Sequence, residues 1–166
     1  MRHPVPSLWL LSDARNDAAL ERTLKRLPRG SGFVFRHYHL PPAERRKRFE
    51  RLRRLCRGRG IAVALAGSRR QARAWRADAA YGANGEIATA HSLRELRQAG
   101  KAPAVMLSPV FPTRSHPGGT VLGPVRFLLL ARRSPVPVIA LGGMTASRAR
   151  QLAGTPWAAI DGLVRP

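Results

Sequence analysis

Eight short apolar runs alternate with segments of helical periodicity, and this rhythm restricts the fold more than any other feature of the chain. The runs are Leu8 to Ser12, Gly32 to His39, Ile61 to Ala66, Ala79 to Gly82, Glu86 to Ala90, Ala104 to Val110, Val136 to Leu141 and Trp157 to Leu163. Short runs bounded by Gly, Pro or polar residues read as strands buried on both faces. Between them lie stretches such as Ala43 to Arg57, where Phe49, Leu52 and Cys56 fall on one helical face and Arg45, Arg48, Arg51 and Arg54 are expected to face elsewhere. Strand, helix, strand repeated along a chain predicts a parallel sheet. Eight such strands predict an α/β fold of the compact (β/α)8 TIM type, in one domain covering 1–166. The chain has 166 residues, against roughly 200 to 250 for an ordinary barrel of this kind. Only Ala83, Asn84 and Gly85 separate the fourth and fifth runs, and Pro166 follows closely on the eighth. Helix four and the C-terminal helix are therefore expected to be missing, and the wall they leave bare is expected to offer a homo-oligomer surface.

The apolar fraction of 44% is enough for a real core. A formal charge of +21 raises nucleic acid as a partner, since clustered basic residues displace counterions from phosphates. Only Lys25, Lys47 and Lys101 are lysines; the arginines are spread along the whole chain with few aromatics between them and no recognised nucleic-acid motif. No specific nucleic-acid partner is expected, and the arginines read as solvated helix faces. The single cysteine, Cys56, has no internal disulfide partner and sits among apolar helix positions. No run reaches the ~18 apolar residues of a membrane span, and Leu8 to Leu11 is too short for a signal segment. A cytoplasmic protein without a membrane partner is expected.

In a barrel of this type chemistry gathers where the strands end. The sixth run opens into Ser-Pro-Val-Phe-Pro-Thr-Arg-Ser-His-Pro-Gly-Gly-Thr-Val-Leu-Gly, residues 108–123, with hydroxyls at Thr113 and Ser115, a cation at Arg114 and glycines that free backbone amides. Such a loop can wrap an anion; it also fits an ordinary Pro/Gly surface loop. The seventh run, Val-Pro-Val-Ile-Ala-Leu-Gly-Gly-Met-Thr at 136–145, ends in Gly142 and Gly143 and opens a helix. Glycines there allow a phosphate close to the backbone. In the second run, alternation puts Val34, Arg36 and Tyr38 on one face and Phe33, Phe35, His37 and His39 on the other. Which face lies inside stays open at this level.

Phe-Pro-Thr with its polar and basic successors, then Leu-Gly and a helix, then Pro-Val-Ile-Ala-Leu-Gly-Gly-Met-Thr, resembles the thiamine-phosphate synthases and their thiazole tautomerase relatives, from about Ile87 to Thr145. The resemblance implies a transferase of thiamine biosynthesis: a pyrimidine methyl diphosphate ionises and the nitrogen of a thiazole phosphate captures the carbocation. It further implies that Thr113, Ser115 and His116 contact phosphate, that Gly142 and Gly143 offer amides to the thiazole phosphate, and that Arg36 matches an arginine of the family's Gln-Leu-Arg-Glu-Lys segment, with Tyr38 in place of its lysine. Thr89 stands where the family has a serine, and His91 is retained. His91 is a candidate catalytic group, although Ser92 and the helical run behind it also fit a histidine beside a helix cap.

The resemblance implies Mg2+ for the departing diphosphate. The family's Asn-Asp pair after strand three corresponds to Ala66 and Gly67, and its aspartate after strand four has no counterpart. Asp13 and Glu86 are the remaining candidate carboxylates. Asp161, leaving the last run, would repel phosphate from the mouth unless protonated or paired with Arg36 or Arg165. Beside the synthase stands a second expectation, a tautomerase-like or noncatalytic paralogue that binds a phosphate ligand without the metal-dependent step.

Overall fold

The computed structural model describes residues 5–115 and 117–164. Eight parallel strands close into a barrel in sequence order: β1 (Leu8–Leu11), β2 (Gly32–Phe35), β3 (Ala62–Ala66), β4 (Ala79–Tyr81), β5 (Ile87–Ala90), β6 (Ala104–Leu107), β7 (Val138–Ala140) and β8 (Trp157–Ala159). The helices are α1 (Leu20–Arg26), α2 (Pro42–Arg59), α3 (Arg69–Ala74), α4 (Leu93–Gln98), α5 (Gly123–Arg132) and α6 (Ala146–Ala149). No described helix is long and apolar enough to cross a membrane.

Alternation along each strand divides the core in two. Trp9, Leu11, Val34, Ala64, Ala66, Tyr81, Ile87, Met106 and Ile139 fill the barrel interior. The neighbours of these residues in the strands pack outward beneath the helices, Phe33 and Phe35 against Phe49 and Leu52 of α2 on one side, Val105 and Leu107 in one cluster with Phe127 of α5 on the other. The indole of Trp9 takes the space opposite Gly32, its partner in the β1–β2 register; a Cβ at Gly32 would collide with that ring.

Helix four is absent, as the short spacer predicts: a turn closed by Gly85 N–H donating to the Gly82 carbonyl at 3.0 Å joins β4 to β5. The expected bare wall is not there. The outward residues at this point are Ala80, Ala88 and Ala90, at most 1% exposed, because side chains this small let the flanking layers close over them. The large exposed apolar residues are instead Tyr38, Val125 and Leu129. Among the described residues no helix follows β8.

Several strands stop earlier than the apolar runs. β2 ends at Phe35 rather than His39, because His37 takes φ 39° in the left-handed region and turns the chain out of the sheet. α2 starts with Pro at its first position and closes on Gly60 at φ 64°. Its buried stripe is Arg45, Phe49, Leu52 and Cys56. Arg45 thus lies with the apolar residues and not on the outer face, contrary to the expectation from its charge.

Candidate functional site

A cavity of about 630 Å3 opens at the C-terminal ends of the strands. On one side β7 runs into Gly142 (φ 98°) and Gly143 (φ 61°). A Cβ on Gly142 would lie 2.6 Å from Pro109 Cα, and one on Gly143 would collide with the Pro112 carbonyl. The β7 loop is therefore seated directly on the backbone of the β6 loop, which only glycine permits. Among the described residues the amides of Gly142 and Gly143 donate to no protein acceptor, so they remain available to a ligand. α6, which follows, is four residues long, so the site rests on individual amides and side chains rather than on an extended helix dipole.

The β6 loop brings Thr113, Arg114 and Ser115 to the same cavity, with Ser115 N–H donating to Thr113 Oγ1 at 3.3 Å. His116 lies outside the described residues. Thr89 and His91 complete this side from β5. The Ser92 hydroxyl caps α4 by accepting from Glu95 N–H at 3.3 Å. His91 Nδ1 lies 2.9 Å from the Ser108 carbonyl, which can only accept, so Nδ1 carries a hydrogen and donates it there. Arg148, which the sequence reading passed over, also lines the cavity; it donates to the Gly143 carbonyl at 2.5 Å and lies 5.1 Å from the Phe111 ring centroid.

Arg36 faces the interior. Gly32, Val34 and Arg36 share the inward face of β2, and the Arg36 side chain reaches the cavity. Both poles of its peptide are held by side chains. Its N–H donates to Ser12 Oγ at 2.8 Å, and its carbonyl accepts from Arg45 Nε at 2.9 Å, while Arg45 Nη2 donates to the Ala66 carbonyl at 2.7 Å. Arg45 thereby ties the end of β2 to the end of β3. Its guanidinium also lies 5.4 Å from the Trp75 ring centroid. Burial lowers the Arg45 pKa, opposed by the charge of Tyr38. The Arg36 guanidinium donates to Asp13 Oδ2 at 2.9 Å, and its buried Nε has no hydrogen-bond partner among the described residues.

Behind Arg36 a relay runs outward. His37, stacked on Phe35 at 4.7 Å, has Nδ1 2.8 Å from Ser12 Oγ and Nε2 2.8 Å from Asp17 Oδ1, and Asp17 also accepts from Arg48 at 2.7 Å. Burial, joined by the charges of His39 and Arg48, pushes the His37 pKa down against the hydrogen bond and charge of Asp17. Neutral His37 then donates from Nε2 to Asp17 and accepts the Ser12 hydroxyl at Nδ1, which orients Ser12 Oγ toward Arg36 N–H.

The carboxylates at the mouth are already engaged. Burial alone would raise the Asp13 carboxyl, but hydrogen bonds from Arg15 and the charges of Arg15 and Arg36 outweigh it and hold the pKa below its usual value. Asp161 faces the cavity and lies 3.6 Å from Arg15; of its two expected partners, Arg36 pairs with Asp13 instead and Arg165 lies outside the described residues. Glu86 accepts from Ala80 N–H at 2.8 Å and pairs with Arg69 at 3.2 Å. Ala66 and Gly67 provide no ligand, and among the described residues no three His, Cys, Asp or Glu side chains gather as a metal group. Mg2+ demands near-octahedral oxygen ligands at about 2.1 Å; this donor set does not fit it.

Fold and mouth together define a parallel (β/α)8 barrel with a cationic, glycine-lined cavity at its strand ends. Residues 87–161 match the family model for thiamine monophosphate synthase. A thiamine phosphate pyrophosphorylase from Pyrococcus furiosus shares the fold with TM-score 0.78 and 21% identity, over 94% of this chain and 85% of that one. A structure described as native KDPGal matches with TM-score 0.64 and 15% identity, over 96% of this chain and 84% of that one. No curated protein sequence matches the chain significantly.

Proposed function

We propose that this protein is a thiamine-phosphate-synthase-like transferase that joins a pyrimidine methyl diphosphate to a thiazole phosphate. The observation that carries the reading is the convergence, in one cavity, of the unpaired amides of Gly142 and Gly143, the hydroxyls of Thr113 and Ser115, and the inward Arg36. The amides and hydroxyls suit a phosphate monoester, because oriented N–H and O–H donors match its oxygens. Arg36 and Arg114 suit the diphosphate, whose charge grows as the carbon–oxygen bond breaks and the bonding pair leaves with it. The thiazole nitrogen then places its lone pair on the carbocation to form the new bond. Thr89 and His91 lie beside the same space.

The placement of His91 beside this space, held through Nδ1 by the Ser108 carbonyl, favours a second reading, a tautomerase-like proton transfer on a thiazole phosphate, which needs no departing diphosphate and no metal. An assay for thiamine phosphate from both substrates, with Mg2+ and with chelator, separates the two. The synthase reading expects product formation. Thiazole phosphate binding without product selects the second reading, and no binding at all rejects both. In a separate titration with the pyrimidine methyl diphosphate, Arg36→Ala is expected to weaken binding by about 1.5 to 3 kcal/mol, the scale of a hydrogen bond to a charged group.

A further inference from the structure

The mouth holds a cation that belongs to the chain itself. Arg15 sits on a 3-10 turn (Ala14–Ala19) directly after β1. Its Nε lies 3.0 Å from Asp13 Oδ1, its Nη1 3.6 Å from Asp161 Oδ2, and its Nη2 donates to Ser115 Oγ at 3.1 Å. One guanidinium therefore touches a carboxylate from the β1 end, a carboxylate from the β8 end and a hydroxyl of the β6 loop.

A buried scaffold sets this arrangement. Asn16 donates from Nδ2 to the carbonyls of Leu11 and Ile160, at 3.0 and 2.9 Å, and ties the ends of β1 and β8 together. Its Oδ1 accepts from Asp13 N–H at 2.9 Å, while Asp13 Oδ1 accepts from Arg15 N–H at 3.2 Å. The spacing of Asp13 and Asp161, and the root of Arg15 between them, thus follow from the capping of this turn.

We propose that Arg15 takes the place of a divalent cation at the edge of this mouth: it bridges Asp13 and Asp161, offsets their charge together with the Arg36 that also pairs with Asp13, and with Ser115 meets the phosphate of the ligand. The inference rests on the phosphate-binding reading above. Two carboxylates facing the site of an anion repel it unless a positive group lies between them, and a guanidinium supplies that charge permanently and in planar, directional form. It also excludes the metal. Its nitrogens hold the two carboxylates apart at the observed 3.0 and 3.6 Å, whereas Mg2+ would draw oxygens to about 2.1 Å. The cavity is lined by the guanidiniums of Arg36, Arg114 and Arg148 and by the carboxylate of Asp161, while Arg15 and Asp13 pair with each other at its edge. The surplus is two positive charges, the counterpart of a phosphate monoester dianion.

The test has two arms. In calorimetric titration with thiazole phosphate, wild-type affinity is expected to differ less than twofold between Mg2+ and chelator. R15A is expected to bind at least tenfold more weakly in chelator and to recover on adding Mg2+, and R15Q, which keeps a hydrogen-bonding end without the charge, to behave likewise. In Mn2+ titration followed by electron paramagnetic resonance, which needs no ligand, R15A is expected to bind the ion at least tenfold more tightly than wild type, and R15A/D13N to lose that gain. Tenfold Mg2+ dependence in wild type, or an R15A protein equal to wild type in the Mn2+ titration, overturns the proposal. Failure of wild type to bind thiazole phosphate removes the functional reading while the Mn2+ arm still decides whether Arg15 occupies a cation's place.

Discussion

Arg36 projects from a short strand, yet its position depends on atoms well away from the cavity. Ser12 receives its N–H, Arg45 grips its carbonyl, and His37 keeps Ser12 oriented. The sequence offers no direct sign of this relay, since Ser12, Asp17 and His37 are residue types common on any surface and become meaningful only when folding buries them together. His37 gives it a pH signature. Burial, only partly offset by Asp17, sets its folded pKa below the ordinary histidine value of 6.5. The unfolded chain therefore binds the proton more readily, and the contribution of His37 to stability is complete above about pH 6.5 and declines as pH falls toward the folded pKa. Asp13 and Glu21, held below their usual values by arginine partners, and Asp17, held below its own by the hydrogen bond of His37 and then by Arg48, contribute stability that is lost only further down, as pH falls below the ordinary carboxylate range. The thermal midpoint is thus expected to begin falling near pH 6.5. His37→Asn, whose Nδ2 and Oδ1 imitate only part of the imidazole, should be less stable at pH 7.5 and show a flatter slope between pH 6.5 and 5. An unchanged slope would show that the decline comes from another group.

At the scale of elements, the strands are legible because each is a short apolar run between Gly, Pro or polar residues, and the missing fourth helix is legible because three residues cannot make one. The ends of the strands are not. β2 stops at His37 through a left-handed backbone conformation that no glycine announces, and Arg45 joins the apolar stripe of α2 because two strand-end carbonyls await its donors. The glycine of β2 makes the packing of the barrel floor testable. Gly32 lies opposite Trp9 in register, and a methyl group there would collide with the indole. Overpacking of a filled core commonly costs about 1 to 3 kcal/mol. Gly32→Ala is expected to destabilise the protein by that amount or more, read by urea unfolding, with a shift in indole emission as Trp9 moves. A stable variant with unaltered emission would mean that the interior has room there.

The whole molecule carries +21 formal charges, and most of its acidic groups are already spent. Asp13, Asp17, Glu21, Glu50, Glu86 and Asp161 each pair with arginine. What remains is a dispersed outer layer, with Lys25 and Arg26 on α1, Arg54 and Arg57 on α2, Arg70 and Arg73 on α3, and Arg126 and Arg132 on α5 all exposed. This distribution was legible in the sequence, since the arginines recur on every helical segment. The site was legible from its residues close in sequence, Thr113 to Ser115 and Gly142 with Gly143, and through the family resemblance at Arg36, Thr89 and His91, all of which line the cavity. Arg15 was not, because Ser115 and Asp161 lie 100 and 146 positions away from it and only barrel closure joins them. Charge scattered over a convex helical layer can neutralise phosphates but offers no groove in which to read bases, so any nucleic-acid binding should be driven by counterion release alone. A single-stranded oligonucleotide is expected to bind without sequence preference and to lose affinity steeply with salt, about a thousandfold or more between 50 and 200 mM if some six to ten phosphates are contacted. Saturating thiazole phosphate should not displace it, because the mouth and the outer layer are separate surfaces. Fluorescence anisotropy with two unrelated sequences, each across a salt series, measures this. A complex that prefers one sequence and persists well above physiological salt would place base-reading contacts on this outer surface and overturn the expectation.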